Sequence, residues 1–356
     1  MSGLPNHGTG RLRENKREAH RMSVETTLHH AVATLSDGSE VRTPYWHLDS
    51  GVAGETFLVI AEQHGNEVQG CEVIRRFKLA CEEGLRRGAV ILVPFANLPA
   101  LRHRRSHISL GPEQPYADDS GHNMNRTWPG NPEGNDTERV AYSVHQAVVP
   151  HCTRCLDLHS WSRFTATCTL ARGGHELSEA MSAVTAIRFV QETAPGKSAE
   201  EGPTQISALF NTTGRGATTI ELAPQWVIRE KEVREGLRAA TNLAKFLGMM
   251  DGEPEFPEGP IVTFTAADRE ERNHQLKAPC SGLFVEAGLQ TSDYVEEGQK
   301  LGHIIRDEDL QTVEIVAPVS GYLWQYGCFR EHSDVALPPQ HPYASEGDVL
   351  AGVMTP

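Results

Sequence analysis

Three short segments carry residue types that can bind a metal ion and move a proton. They read HGNE at 64–67, DLHS at 157–160 and TTIE at 218–221. His64, His159 and Glu67 supply two imidazoles and a carboxylate as metal ligands, and Glu221 supplies a second carboxylate as a base. That is the minimum set for a mononuclear zinc hydrolase. The segments therefore predict metal-assisted hydrolysis.

Spacing places these residues where strands end. The apolar, β-branched run 56–61 predicts a buried strand, and His64 and Glu67 follow it on one turn at the start of a helix. Asp157 and His159 are two apart in an alternating run and point to one side, so Asp157 can orient the imidazole. In open α/β sheets, sites form beyond the carboxyl ends of the strands.

Chance has to be weighed, because 17 histidines in 356 residues produce some metal-like spacings by accident. A lone HxxE pair is a weak motif, since most histidines are surface or core residues. This chain has one HxxE, at His64, and two further segments follow it in the right order. The set of three favours a metal site over accident.

The same segments, with NMNR at 123–126, WPG at 128–130 and TTIEL at 218–222, resemble the succinylglutamate desuccinylase and aspartoacylase family. That family is a branch of the zinc carboxypeptidase fold, and the resemblance covers roughly residues 45 to 250. It implies these roles: one zinc held by His64, Glu67 and His159, Glu221 as general base, and Asn125 and Arg126 on the substrate's carboxylate.

Chemistry gives a similar assignment. Three protein ligands leave a fourth zinc position for water, and Glu221 can take the water's proton and later protonate the leaving amine. The oxyanion of the tetrahedral intermediate needs a cation or fixed donor, for which arginine is suited.

The oxyanion-binding arginine is harder to place. In the family, an Asn-x-Pro-Ala stretch precedes this arginine by a set number of residues. Counted along this chain, the same number of residues ends one position past Arg105. We favour Arg105 as the oxyanion-binding residue, with Arg104 as the alternative. The competing interpretation is that both arginines belong to a solvated basic cluster on a loop. Arg163 is a candidate for an acidic substrate tail or for a surface salt bridge. The polar insert 107–122 is either a specificity lid or a surface excursion.

A rival metal site, the CxxC of Cys152 and Cys155, lacks a second pair among the seven cysteines, so we interpret these residues as reduced thiols. The basic start, residues 1–22, has no apolar core and is expected to be a disordered arm rather than a secretory signal. A net charge of −14 argues against nucleic-acid binding. We expect a cytoplasmic enzyme with a small-molecule partner and no membrane partner.

Composition predicts four regions. Residues 1–42 are an arm and first strand region, 43–250 a deacylase domain, 251–260 a Pro/Gly-rich linker and 261–356 a β domain. In the second region strands alternate with helical patterns such as 68–85, which favours an α/β fold with a mixed sheet flanked by helices.

The last hundred residues repeat themselves. The pattern at 278–284 recurs at 317–323, and that at 297–301 recurs at 346–350. This resembles the barrel-sandwich fold of biotinyl and lipoyl carrier domains, but the hairpin tip at 306–310 has no lysine to carry a swinging arm. The domain is therefore expected to be a cap or a contact for a homo-oligomer.

Together these features predict a zinc-dependent amidohydrolase that removes an acyl group from an N-acyl amino acid or similar small carboxylate. Two alternatives stay open. A metallocarboxypeptidase would use the same centre on peptides, and a non-catalytic binding protein on the same fold would have no need of Glu221.

Overall fold

A nine-stranded mixed sheet with helices on both faces forms the larger part of the computed structural model, which describes residues 23–108, 121–162, 164–194, 204–329 and 341–356. Its strands are β1 (Glu25–Thr34), β2 (Glu40–Asp49), β3 (Thr56–Ala61), β4 (Ala89–Val93), β5 (Arg154–His159), β6 (Cys168–Arg172), β7 (Phe189–Thr193), β8 (Gly216–Glu221) and β9 (Val262–Thr265). They lie in the order β1-β2-β4-β3-β5-β8-β6-β7-β9.

Helices cover this sheet and lead from it to the second unit. They are α1 (Gln69–Gly84), α2 (Leu98–His103), α3 (Asp136–Val148), α4 (Glu176–Val184), α5 (Ile206–Thr212), α6 (Glu230–Phe246) and α7 (Ala266–Arg272). Short 3-10 helices span Met124–Arg126 and Val149–His151. The predicted α/β class with a mixed sheet flanked by helices is confirmed, and the strand predicted at 56–61 is β3.

The centre of the sheet explains why its sequence is apolar without alternation. In β3, Phe57 and Val59 pack into the cluster under α1 and α6, whereas Leu58 and Ile60 pack into the cluster under α3 and α5. All four side chains are fully buried. A strand covered on both faces favours a continuous β-branched and apolar run, as parallel sheets usually show.

Three parallel strands bring the chemical segments together. β3 pairs with β5, and β5 pairs with β8, so their carboxyl ends meet at one edge. The register places His159 directly beside Glu221 and Ala61 beside Leu158. Sheet pairing alone therefore fixes two of the candidate residues side by side.

The large sheet extends beyond residues 43–250. β1 and β2 form an antiparallel pair at one edge, and β9 pairs with β7 at the other. The proline- and glycine-rich run 251–260 separates α6 from β9 without ending the sheet. Such a run signals only the absence of regular structure at that point.

The C-terminal unit consists of two four-stranded antiparallel sheets. Its strands are β10 (Asn273–Lys277), β11 (Gly282–Glu286), β12 (Tyr294–Val295), β13 (Lys300–Arg306), β14 (Thr312–Val316), β15 (Gly321–Phe329), β16 (Tyr343–Ala344) and β17 (Val349–Met354). The orders are β10-β17-β15-β12 and β14-β13-β11-β16. The first half of the repeat comprises β10 to β13, and the second half comprises β14 to β17. If each strand is replaced by its counterpart in the other half, the strand order of one sheet becomes that of the other. Each half therefore contributes two strands to each sheet.

The C-terminal unit packs on the segment that follows β5. Trp324 is buried and meets the rings of Phe189, Phe264 and Trp161 edge-on, with centroids 5.0, 5.2 and 5.6 Å away. The backbone N–H of Ala166 also donates to the Trp324 carbonyl at 2.8 Å. The two units thus share an aromatic cluster beside the strand that carries His159.

In the part of the chain that the structure describes, no helix combines the length and the apolar character needed to cross a bilayer.

Candidate active site

The predicted metal ligands converge on one point. The ligand atoms of His64, Glu67 and His159 all lie within 4.8 Å of one another. The Nδ1 atoms of the two rings face the two oxygens of Glu67, at 2.8 Å each. Glu67 and His159 are buried, and His64 is partly exposed to a cavity.

His159 is held from behind by a buried polar network. Its Nε2 lies 3.1 Å from Asp157 Oδ2, and the amide of Gln63 donates to Asp157 Oδ1 at 2.7 Å. The indole N–H of Trp128 in turn donates to Gln63 Oε1 at 2.6 Å. With Nε2–H directed at Asp157, the lone pair of Nδ1 is left for a metal. Asp157 thus lies where the sequence predicted.

His64 and Glu67 lie on a tight turn, but that turn precedes the helix. The N–H of Glu67 donates to the His64 carbonyl at 3.0 Å, and α1 begins only at Gln69. The Nε2–H of His64 donates to Asn123 Oδ1 at 3.0 Å. Both imidazoles therefore present Nδ1 to the same point, with Nε2 fixed by a neighbour.

Charge compensation dominates the electrostatics of the cluster. Burial lowers the pKa of His159, but the carboxylates of Asp157 and Glu67 raise it by more, so the pKa lies well above its usual range. Burial raises the pKa of Glu67, but the two imidazoles lower it by more, so this carboxyl favours the ionised form. A metal cation replaces the imidazole protons when it binds such a set.

These residues fit a zinc ion. Two imidazole nitrogens and one carboxylate are the protein ligands of a common class of catalytic zinc site, which keeps one position open. The buried Glu67 carboxylate is flanked by two rings that both offer the same nitrogen. A second set of groups then fixes each ring, as zinc sites usually require.

Glu221 shares a cavity of about 560 Å³ with the cluster. Burial, opposed by the charge of His159, raises the pKa of Glu221 to about 7. A base is most effective when its pKa lies near the working pH. The volume is typical of a small-molecule site.

The predicted carboxylate-binding pair lies at the same cavity. Asn125 and Arg126 both line it, from the 3-10 helix that begins at Met124. Arg126 is exposed and donates to the Asn125 carbonyl at 2.9 Å. The side-chain oxygen of Asn125 is buried and has no hydrogen-bond partner among the described residues. Arg163 lies outside the described residues.

Arg104 and Arg105 are not brought to the cavity. Arg104 ends α2 in the left-handed conformation, with φ 56° and ψ 44°, and its side chain is exposed. Neither arginine belongs to the described lining of the cavity, whereas the next two residues, Ser106 and His107, do. The left-handed conformation of Arg104 turns the chain at this point. The position of this turn could not be inferred from the spacing of the Asn-x-Pro-Ala motif.

Sequence reasoning missed three residues of the site. Gln63 joins Asp157 to Trp128, His107 lies against His64, and Arg172 lines the cavity at the end of β6. The antiparallel register that aligns Leu170 with Thr219 puts Arg172 on the same face of the sheet as Glu221. An arginine that ends an apolar strand was the available signal for Arg172.

The CxxC pair does not belong to the cluster of potential metal ligands found among the described residues. Cys155 belongs to β5 and is fully buried, and Cys152 is buried and donates to the Val148 carbonyl. Burial raises the pKa of the Cys152 thiol to about 12. All seven cysteines are free thiols.

Comparison with known proteins identifies the family. The model of the succinylglutamate desuccinylase/aspartoacylase catalytic domain matches residues 53–247, which is more than half of the chain. The chain belongs to this family. The resemblance inferred from the motifs is therefore confirmed, and this desuccinylase/aspartoacylase-family chain is an enzyme of the amidohydrolase type.

Relatives of this desuccinylase/aspartoacylase-family chain include deacylases of known name. The N-alpha-acetyl-L-2,4-diaminobutyric acid deacetylase of Halomonas elongata is 24% identical over 255 residues, covering 70% of each chain. A solved succinylglutamate desuccinylase/aspartoacylase from Rhodobacter sphaeroides has a TM-score of 0.62 at 21% identity, covering 93% of this chain and 95% of its own.

The product-bound ectoine utilization protein EutE (DoeB) from Ruegeria pomeroyi has a TM-score of 0.63 at 20% identity and covers 95% of this chain and 96% of its own. The shared fold therefore extends over both the large sheet and the C-terminal sheets.

Proposed function

We propose that the chain is a zinc-dependent deacylase that hydrolyses the amide bond of an N-acyl amino acid or a related small carboxylate. The observation that carries this proposal is the meeting of the His64, Glu67 and His159 cluster with Glu221 in one small-molecule cavity. The family match supports the same reaction class.

Zinc bound by His64, Glu67 and His159 would polarise the amide carbonyl and activate a water molecule. Glu221 takes a proton from the attacking water as the new carbon–oxygen bond forms and the carbonyl electron pair moves onto oxygen. The carbon–nitrogen bond then breaks, and Glu221 returns the proton to the leaving nitrogen. The products are a carboxylic acid and a free amine, and the acid then gives its proton to the amine to form a carboxylate and an ammonium ion, so atoms and protons balance.

Asn125 and Arg126 orient the substrate in this proposal. The guanidinium of Arg126 attracts the carboxylate of the amino-acid portion, and the unpaired Asn125 side-chain oxygen accepts a hydrogen bond from a substrate donor. Both residues come from one 3-10 turn, so they contact adjacent atoms of a single small ligand.

The C-terminal unit acts as a structural cap in this proposal. Its interleaved sheet orders support a barrel-sandwich fold, and the turn between β13 and β14 carries no lysine that an acyl arm could occupy. We propose that this unit also contributes the contact of a homo-oligomer. Seven free thiols support a reducing compartment such as the cytoplasm.

A substrate panel tests the function. The zinc-loaded full chain is incubated with N-acetyl, N-succinyl and longer N-acyl amino acids, and release of the free amine is measured. Each substrate is matched by the N-acyl amine that lacks the carboxylate. We expect hydrolysis of at least one N-acyl amino acid, with a clear preference over its carboxylate-free match.

Peptides with a free C-terminus form the competing arm of the panel. Faster release of a C-terminal residue than of any simple acyl group would identify a metallocarboxypeptidase instead. Binding of the acyl amino acids without any amine release would identify a non-catalytic binding protein.

A further inference from the structure

The proposed reaction develops a negative charge on the amide oxygen, and this charge needs a fixed donor. Arg104 and Arg105 are absent from the described cavity lining, because the chain turns at Arg104. Arg126 is exposed at the cavity. Arg172 lies four positions along the β6–β8 pair from Glu221, which is about 13 Å of strand. A buried imidazole lies against the metal cluster instead.

His107 lies against the metal cluster. It is 3% exposed and lines the cavity together with His64 and Glu221. Its ring centroid is 5.3 Å from that of His64, with an interplanar angle of 73°. His107 is not one of the three residues whose ligand atoms lie within 4.8 Å of one another. It is therefore a neighbour of the predicted metal site rather than a fourth ligand.

The backbone fixes this position closely. The Asn97 side chain donates to the Gln63 carbonyl at 3.0 Å, which ties the start of α2 to the segment before His64. The N–H of Gly65 donates to the Ser106 carbonyl at 3.3 Å. A Cβ on Gly65 would lie 2.5 Å from the Arg105 carbonyl oxygen, so only glycine permits this approach. Contacts on both sides of His64 thus hold its segment against the segment that leads to His107.

We propose that His107 is the oxyanion donor of the reaction, in place of an arginine. This inference rests on the proposed deacylase function. An N–H of the His107 ring donates to the amide oxygen as the carbon–oxygen π pair moves onto that oxygen. His107 keeps its proton throughout, while Glu221 carries the transferred proton. Imidazole N–H groups are established donors in oxyanion holes of this kind.

The test uses the zinc-loaded full chain and separates the effect of losing the His107 N–H donor from the effect of losing its aromatic ring. His107→Phe keeps an aromatic ring against His64 but removes the N–H. We expect kcat to fall about 10²–10³-fold, which is the usual effect of one lost oxyanion donor, with little change in KM and full zinc content. Arg102→Ala, on the exposed end of α2, is the matched control.

A second readout does not need turnover. The affinity of a phosphonamidate analogue, whose tetrahedral anionic phosphorus imitates the intermediate, is measured by calorimetry. His107→Phe should lower this affinity by about the same factor as kcat/KM, because both report binding of the oxyanion. His107→Gln keeps a side-chain N–H and should retain at least about tenfold more turnover than His107→Ala.

Three results would overturn the assignment: undiminished turnover in His107→Phe, a larger loss in Arg105→Ala than in His107→Phe, or equal turnover in His107→Gln and His107→Ala. If the wild-type chain releases no amine from any N-acyl amino acid, the proposed function fails. The analogue then decides on His107, because equal affinity in wild type and His107→Phe, or no binding to either, rejects it as an anion donor.

Discussion

The two ends of the cavity are built differently. At the metal end, His64 and His159 each have both ring nitrogens engaged by named neighbours, and Glu67 has both oxygens engaged. At the substrate end, Arg126 is exposed and the Asn125 side-chain oxygen has no partner among the described residues. The side chains at the metal end are all held by protein neighbours, whereas the substrate end offers a buried oxygen to a ligand.

This difference separates chemistry from selection. Groups that hold a metal must keep their geometry before it binds, so a surrounding network fixes them. Groups that recognise a substrate make their hydrogen bonds only when it arrives, and an unsatisfied buried atom favours its binding. We therefore expect changes at the metal end to reduce metal affinity and turnover, and changes at the substrate end to alter KM.

Apart from the changes at Glu221 and His107, the largest expected effect is at Gln63, which has no contact with substrate in the proposed reaction. Gln63→Leu removes the amide that grips Asp157 and the acceptor of the Trp128 indole N–H. We expect zinc affinity to fall about 10–100-fold, because partners behind metal-bound histidines typically contribute this much. The zinc affinity of the variant and of wild type is measured by competition with a chromogenic chelator.

An unchanged zinc affinity in Gln63→Leu would show that His159 is fixed by the strand alone. Trp128→Phe tests the same chain of hydrogen bonds one step further away. It keeps most of the ring volume but loses the N–H donor, so a smaller fall in zinc affinity is expected.

Glu232, a buried carboxylate with no ion pair among the described residues, provides a second contrast with Glu67. Burial, with Glu235 in the same direction and Lys231 and Arg229 opposing, raises the pKa of Glu232 to about 7. Because the folded-state pKa is raised, the native state binds this proton more tightly than the unfolded state. Its contribution to stability is therefore present below about pH 4.5 and is lost as the pH rises through 7.

Glu232→Gln removes this pH-dependent loss while keeping an acceptor for the Thr167 hydroxyl. We expect the variant to gain about 1–2 kcal/mol of unfolding free energy over wild type at pH 8 and little at pH 4, since one pKa unit corresponds to about 1.4 kcal/mol. Urea unfolding at both pH values measures it. The same difference at both pH values would contradict a raised pKa.

The smallest expected effect is at Arg126, because its side chain is exposed and water screens its charge. Arg126→Ala should raise KM for N-acyl amino acids about three- to tenfold, with kcat and the KM of carboxylate-free substrates nearly unchanged. Steady-state kinetics on the matched substrate pairs measures it. An equal rise for both members of a pair would remove Arg126 from carboxylate binding.

The metal end was predictable because its residues follow strand ends. β3, β5 and β8 were recognisable as apolar runs, and parallel pairing necessarily brings their carboxyl ends together. The position of His107 was not predictable, since it depends on one left-handed residue, Arg104, and on a close approach to Gly65. Arg172 depends on the register of an antiparallel pair far apart in sequence.

The roles of the metal cluster and of Glu221 are separated by measuring zinc content and turnover together in Glu221→Gln. The strand β8 places Glu221 beside His159, and among the described residues the Glu221 carboxylate makes no hydrogen bond to the three predicted ligands. We expect one zinc per chain, as in wild type, and turnover of N-acyl amino acids reduced about 10²–10⁴-fold. Wild-type turnover in this variant, or loss of its zinc, would contradict the separation of a metal-binding cluster from a proton-transferring base.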